Sequence, residues 1–261
     1  MQFIKKLNGN SGCDVSLYKH EDSFIVRKIS PSVSYNSRLI VQCNRQDICN
    51  IDGVFSPKVY GSGYNDSLFY FDSEYIDGKT LNIVAQEKNP DDTYLLINKI
   101  LHGFSSHSTG NIDNQIKSKL FSLKEKCDFK YQYYIDFCFD FDWSLIPSTA
   151  CHGDLTFENI IIKNNDIYLI DFLDVFASSY YIDLSKIMTD ILFGWSWRKI
   201  KDIPLVKNVI LYDKIREKLT DLEFNACKRL IIIHLLRIIS YCNDDNTSEL
   251  IDNSLKSSID F

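Results

Sequence analysis

His152-Gly153-Asp154 is followed by Asn159 and, after a stretch rich in β-branched residues, by Asp171. These are the side chains that a reaction on phosphate requires. One carboxylate can orient an attacking hydroxyl and accept its proton, while an amide oxygen and a second carboxylate are hard ligands that can share Mg²⁺ with water and phosphate. Between Asn159 and Asp171 lie two β-rich runs, Ile160-Ile161-Ile162 and Ile167-Tyr168-Leu169-Ile170, joined by Lys163-Asn164-Asn165-Asp166. Asn and Asp tolerate positive φ and bond their own backbone, so this junction predicts a tight reversal and a β-hairpin. In a hairpin the residue entering the first strand and the residue leaving the second stand side by side. The hairpin therefore predicts Asn159 and Asp171 as a pair of Mg²⁺ ligands, with Asp154 in the loop upstream as the catalytic base. His152 can hydrogen-bond backbone groups of that loop, and Gly153 permits a close or strained approach. Singly, each of these side chains is also a common turn former or helix cap. Their order, with a hairpin between the two ligands, makes the set.

His-Gly-Asp-Leu-Thr-Phe-Glu-Asn at 152–159, with Ile-Asp-Phe at 170–172, resembles the catalytic and metal-binding segments of the aminoglycoside phosphotransferase and choline kinase family. The resemblance is close over residues 150–173 and looser over about 8–80. It implies an α+β, bilobal protein-kinase-like fold, with a strand-rich N-lobe (residues 1–76), a helix-rich C-lobe (residues 77–261) and an inserted catalytic β-hairpin. It also implies ATP or another nucleoside triphosphate as donor, Mg²⁺ as cofactor and a small molecule as acceptor. Gly153, where protein kinases usually carry Arg, points to the small-molecule branch. Only about ten residues separate Asp171 from the next predicted helix, too few for the long activation loop of a protein-substrate site.

That resemblance assigns further residues in the N-terminal part. Gly9-Asn10-Ser11-Gly12 lies between strand candidates, and the backbone N–H groups of Ser11 and Gly12 are candidates to meet phosphate oxygens. In Phe24-Ile25-Val26-Arg27-Lys28-Ile29, alternation puts Val26 and Lys28 on one face. Lys28 is then the expected phosphate contact, under an adenine packed on Val26, with Arg27 solvated. The family pattern expects a Glu in the following helix to pair with the lysine, yet Tyr35 to Cys49 contains none, leaving Gln42 and Asp47 as candidates. Phe71 to Gly78 resembles the hinge segment, where backbone groups of Glu74 to Ile76 would bond the purine edge. Asp183 resembles the aspartate opening the helix after the metal loop and is expected as its N-cap, bracing the catalytic loop as well. Trp195, Trp197 and Arg198 fall where the family places its acceptor-side helices.

The elements needed to position these residues are visible in outline. Asp14 to His20, Ser23 to Ile29, Lys58 to Tyr60 and Ser67 to Tyr75 read as strands, with Gly61-Ser62-Gly63 and Asn65-Asp66 as turn residues. Helices are expected over Tyr35 to Cys49, Asp91 to His107, Asn114 to Cys127, Ile182 to Ile191 and Asp221 to Cys242, with Asp91 or Asp92 and Asp221 as N-caps. The stretch from Asn243 is polar and reads as prone to fray.

Bulk properties narrow the function classes. A net charge of -6 gives no electrostatic footprint for nucleic acid. Eight cysteines form no Cys-x-x-Cys pair and do not cluster with the five histidines at zinc-ligand spacing, which reads as reduced thiols in a cytoplasmic protein. Leu230 to Ser240 is interrupted by His234 and Arg237 and is too short to span a bilayer. Oligomeric state is not indicated. The reading is an ATP- and Mg²⁺-dependent small-molecule kinase acting on a hydroxyl of a sugar derivative or an amino alcohol. The run around Cys151 to Asp154 also resembles phosphotransferases found among capsule-synthesis proteins, which favours a sugar-related acceptor. The alternative is a catalytically silent kinase-fold protein that binds nucleotide or regulates.

Overall fold

A computed structural model describes residues 1–7, 12–49, 51–105, 110–199, 202–239, 242 and 245–260. They form two compact units, Met1–Thr80 with Asn159–Asp174, and Leu81–Glu158 with Val175–Phe261. The first is rich in strands and the second is helical, the α+β architecture expected.

In the strand-rich unit, Gln2–Lys6 (β1), Asp14–His20 (β2) and Ser23–Ile29 (β3) run antiparallel. Glu21 takes a positive φ of 54° in the turn joining β2 to β3. The helix Asn36–Asp47 (α1) follows a 3-10 turn at Val33–Tyr35. Its Leu39 and Cys43 pack on Cys13, Phe69 and Phe71 of the sheet, closing a small core. After Val54–Phe55 (β4), the strands Val59–Asn65 (β5) and Leu68–Glu74 (β6) complete a sheet in the order β1-β2-β3-β6-β5. Gly61-Ser62-Gly63, expected as turn residues, lie inside β5; the reversal is made by Asp66, expected there with Asn65, and by Ser67, both at positive φ. Gly63 serves packing, since a Cβ there would sit 3.1 Å from the Tyr70 hydroxyl across the pair.

The predicted hairpin forms from Ile160–Lys163 and Asp166–Leu169, and Asn164 and Asn165 both take positive φ in its two-residue turn, as a primed turn requires. Lys79–Thr80 (β7) adds to one side of it and β4 to the other. With the hairpin strands as β8 and β9, the order is β4-β9-β8-β7. These additions group the hairpin with the strand-rich unit. Gly78 is needed where β7 meets β8: a Cβ there would lie 2.7 Å from both the Ile161 side chain and the Ile162 carbonyl.

The helical unit comprises Leu81–Glu87 (α2), Pro90–Ser105 (α3), Asp113–Lys126 (α4), Gln132–Phe139 (α5), Tyr180–Phe193 (α6), Leu205–Arg216 (α7), Asp221–Ile239 (α8) and Asp245–Asp260 (α9). Its centre is α8, whose Leu230 to Leu236 are buried throughout, and α6, buried over nearly its whole length. The expected caps are displaced by one or more positions. Asn89, not Asp91 or Asp92, accepts from the Asp92 amide ahead of Pro90, which suits the first helical turn because it has no N–H to satisfy. Thr220, not Asp221, caps α8 in a reciprocal box with Glu223. The segment expected to fray is instead helix α9, described from Asp245. Ile251 and Leu255 form an i, i+4 stripe fully buried in the unit, where α9 packs on α8, and the Ser254 and Ser258 hydroxyls donate to carbonyls one turn back, so the stripe tolerates polar residues. Among the described residues no helix is long and apolar enough to cross a membrane.

Leu255→Ala is expected to lower unfolding free energy by about 2–5 kcal/mol, as deletion of a fully buried leucine does. A urea midpoint equal to that of wild type would show that α9 contributes nothing to the core.

Candidate active site

The loop carrying Asp154 is held from beneath by α6. Gly153 adopts φ 94°, a conformation open to glycine, and the two successive amides of His152 and Gly153 point at one acceptor. That acceptor is Asp183, which is wholly buried: Oδ2 accepts from the His152 N–H at 2.5 Å and Oδ1 from the Gly153 N–H at 2.7 Å. Asp183 is therefore not the N-cap of α6, a position taken by Ser179. Inside the helix a buried carboxylate needs donors, and the loop amides are better placed than the helix's own, which are engaged along its axis. The bracing role expected of it is present.

A turn later on the same face, Lys186 reaches Asp154, its Nζ 2.9 Å from Oδ1. Burial works against the Asp154 carboxylate, but the charge and hydrogen bond of Lys186, with His152 and Arg237 nearby, hold its pKa below the ordinary value. One turn further, Asp190 accepts from the Phe157 N–H at 2.7 Å and the Ser196 N–H at 2.6 Å. Burial pushes Asp190 up to about 7 even though these donors favour its ion. Asp183, Lys186 and Asp190 are spaced i, i+3, i+7 and share one helical face, so α6 grips the loop through Asp183 and Lys186 at its start and Asp190 at its end. Trp197 is fully buried with its ring edge-on to Phe157 at 5.5 Å, which makes it a core residue. Arg198 pairs with Glu158 at 2.9 Å and stacks over the partly exposed Trp195. Sequence reasoning missed Lys186, Asp190 and the Glu158–Arg198 pair. The signal for the first two was present as a charged stripe at helical spacing in an otherwise apolar helix.

In the strand-rich unit Lys28 is buried on β3 and its ammonium has two acceptors, Asp171 Oδ1 at 3.0 Å and Gln42 Oε1 at 3.1 Å. Of the two candidates on α1, Gln42 is thus the lysine's partner, and its amide nitrogen meets the Tyr35 hydroxyl at 3.4 Å. Burial opposes the Lys28 charge, yet the charge of Asp171 and their hydrogen bond raise its pKa above the ordinary value. Arg27, expected to be solvated, forms a two-pronged ion pair with Asp72 at 2.7 Å and lies over the Tyr70 ring. Alternation sends it to the opposite face from Lys28, but that face carries β6 side chains as a platform for the guanidinium.

Asn159 and Asp171 flank the hairpin as expected. Ile160 faces Leu169, and the Ile170 N–H donates to the Asn159 carbonyl at 3.0 Å. Asp171 takes φ 60°, rare for a non-glycine residue outside turns and functional sites. Arg45 from α1 donates to the Leu173 carbonyl just beyond it. Among the described residues no three His, Cys, Asp or Glu side chains cluster as a metal cage. One carboxylate, half exposed, and one amide oxygen instead match Mg²⁺, which keeps water and substrate phosphate in most of its shell. The residues present fit that ion.

Of the expected nucleotide contacts, Ser11 lies outside the described residues, with Gly9 and Asn10. Gly12 takes φ 76° with open space around its α-carbon. The Glu74 and Tyr75 amides donate to the Lys58 and Phe24 carbonyls, and the carbonyl of the buried Ile76 accepts from Gly78.

No protein-family model matches the chain, and no curated protein matches it. Solved structures do. Aminoglycoside phosphotransferase APH(4)-Ia, as a thermostable mutant in ternary complex with ADP and hygromycin B, aligns with 98% of this chain and 94% of its own at a TM-score of 0.67 and 11% identity. Choline kinase LicA from Streptococcus pneumoniae aligns with 98% of this chain and 93% of its own at 0.62 and 15%. An aminoglycoside-3'-phosphotransferase of type VIII covers 89% of this chain and 93% of its own at 0.60 and 14%. At such identities the likeness is one of fold: this chain has the protein-kinase-like fold of small-molecule phosphotransferases.

A carboxyl whose folded pKa is raised contributes stability that is fully present below its ordinary 3.8 and is lost as pH rises through about 7. Wild-type stability, measured relative to Asp190→Asn, is therefore expected to fall between about pH 4 and pH 8. Parallel pH–stability curves would mean that Asp190 stays ionised across the range.

Proposed function

We propose that this chain is a small-molecule kinase that transfers the terminal phosphoryl group of ATP, or of another nucleoside triphosphate, to a hydroxyl of a small polar acceptor. The observation that carries the reading is the buried Lys28 set on Asp171 at the end of the hairpin that Asn159 opens. A buried lysine directed at a half-exposed carboxylate is an expensive arrangement for stability alone; the lysine is of the type that binds phosphate and the carboxylate of the type that holds the accompanying cation.

In this reading Lys28 binds the donor phosphates, aided by backbone N–H groups of Ser11 and Gly12, and backbone groups of Glu74 to Ile76 hold the purine. Asn159 and Asp171 hold Mg²⁺, which when bound neutralises charge developing on the phosphate oxygens. Asp154 orients the acceptor hydroxyl and accepts its proton. The fold neighbours include a choline kinase and a phosphotransferase crystallised with hygromycin B, which supports a sugar derivative or an amino alcohol as acceptor. A capsule-related sugar is the first to test. A cytoplasmic location supplies both the donor and a reducing environment for the eight thiols. A silent nucleotide-binding protein, the competing reading, would bind nucleotide without transfer to any acceptor.

A panel of sugars, amino alcohols and aminoglycosides, read by nucleoside diphosphate release with Mg²⁺, separates the two. With the acceptor found, Asp154→Asn is expected to lower turnover by about 10²–10⁴-fold while nucleotide still binds. Lys28→Met is expected to weaken Mg²⁺-nucleotide binding by about 10–100-fold in calorimetry, as loss of a charge-assisted contact does. Unchanged turnover in Asp154→Asn would remove it as the base.

A further inference from the structure

Building on the phosphotransfer reading above, we propose that Lys186 is a positioning residue that anchors one carboxylate oxygen of Asp154 and makes it an anion that orients the hydroxyl first and takes its proton late. Lys186 stands on α6 with carboxylates one turn to either side, Asp183 and Asp190, the spacing at which a helical lysine ordinarily finds its ion pair. Those carboxylates instead accept loop amides, and the Lys186 ammonium, nearly buried, sits on Asp154 at 2.9 Å. The Asp154 side chain keeps 26% of its surface exposed against 11% for Lys186. The pair thus offers its anionic end to an incoming hydroxyl and keeps its cation inside.

The other charged or titratable groups facing Asp154 are His152 in its own loop and Arg237 on α8. Arg237 lies over the Phe176 ring at 4.6 Å. His234, also on α8, faces Lys186; burial and these two cations hold its pKa well below the ordinary value, so it is neutral, and its Nε2 bonds the Ser185 hydroxyl. Lys186, among the described residues, is in direct ion-pair contact with Asp154.

The chemical consequence follows from the mismatch between an alcohol and a carboxylate so stabilised, which cannot deprotonate a hydroxyl ahead of transfer. In the step itself the acceptor oxygen forms its bond to the terminal phosphorus. The bond from that phosphorus to the bridging oxygen breaks, and the nucleoside diphosphate leaves with the electron pair. The proton passes to the Asp154 carboxylate once the acceptor oxygen has become acidic through bonding to phosphorus. This suits a loose transition state, in which the nucleophile contributes little bonding early.

The test is a ¹³C-carboxyl NMR titration of aspartate-labelled protein, with Asp154→Asn identifying the resonance. Asp154 is expected to titrate below the ordinary aspartate range in wild type, and about one unit or more higher in Lys186→Met or Lys186→Gln. Lys186→Arg is expected to restore the low titration point. With Mg²⁺-ATP and water as acceptor, turnover should fall about 10–100-fold in Lys186→Met with little change in KM for ATP, and the acid limb of the rate profile should move with the NMR titration. An unmoved titration and acid limb in both neutral variants overturns the inference, even where Asp154→Asn is inactive. Full turnover in Asp154→Asn instead overturns the underlying assignment of the base.

Discussion

A carboxylate with no access to water must be given donors, and the fold of the helical unit turns on how that demand is met at Asp183. Its two oxygens take the amides of His152 and Gly153 at 2.5 and 2.7 Å. The His152 backbone between the two amides is turned so that both converge on one carboxylate, and Gly153 at φ 94° redirects the chain immediately after them. The conformation of the loop is thus dictated by the solvation of a single buried anion. Losing the carboxylate would leave two buried N–H groups unpaired, each costing about 1–3 kcal/mol. That energy holds the loop in one state, a preorganisation that the proposed reaction would use.

The same helix solves the problem three times at successive turns. Asp190 takes the Phe157 and Ser196 amides, fixing the end of the loop and the start of the turn that buries Trp197. Lys186, between the two aspartates, is directed to Asp154. A stripe of alternating charge on a buried helix face would be costly if its members faced apolar neighbours. Each charge is instead matched to a backbone or side-chain group of one loop, so the stripe both stabilises α6 and sets the geometry of the residue assigned as base.

What was legible in the sequence divides along the range of the interactions. The hairpin could be read because Asn164 and Asn165 encode its turn locally and because runs of β-branched residues have few alternatives. β2, β3 and most helices followed from period and punctuation in the same way. The two-residue strands β4 and β7 could not be read: Val54 pairs with Ile167 and Lys79 with Ile162, partners that nothing in their neighbourhood announces. Gly63 misled for the same reason, since its glycine character answers to Tyr70 across the sheet rather than to a local turn. In α9 the polar composition hid a two-residue apolar stripe that suffices once small serines flank it. At the candidate site Gln42 and Asp183 could be named from the sequence, whereas Lys186 and Asp190 were marked only by their helical spacing in α6.

The two aspartates assigned to the chemistry share one design. Asp154 has Lys186 and Asp171 has Lys28, each lysine coming from a different element of the same unit and each more buried than its partner. Gln42 matters here because it is neutral. A carboxylate in its place would compete with Asp171 for the Lys28 ammonium at hydrogen-bond distance, whereas an amide oxygen orients the ammonium without neutralising it. In the proposed reading Lys28 thereby keeps its charge for an incoming polyanion, and Asp171 would lose its counter-ion only when another cation takes that role. The absence of a glutamate in α1 is then compatible with a working triphosphate site, because the acid that balances the lysine is supplied from the end of the hairpin.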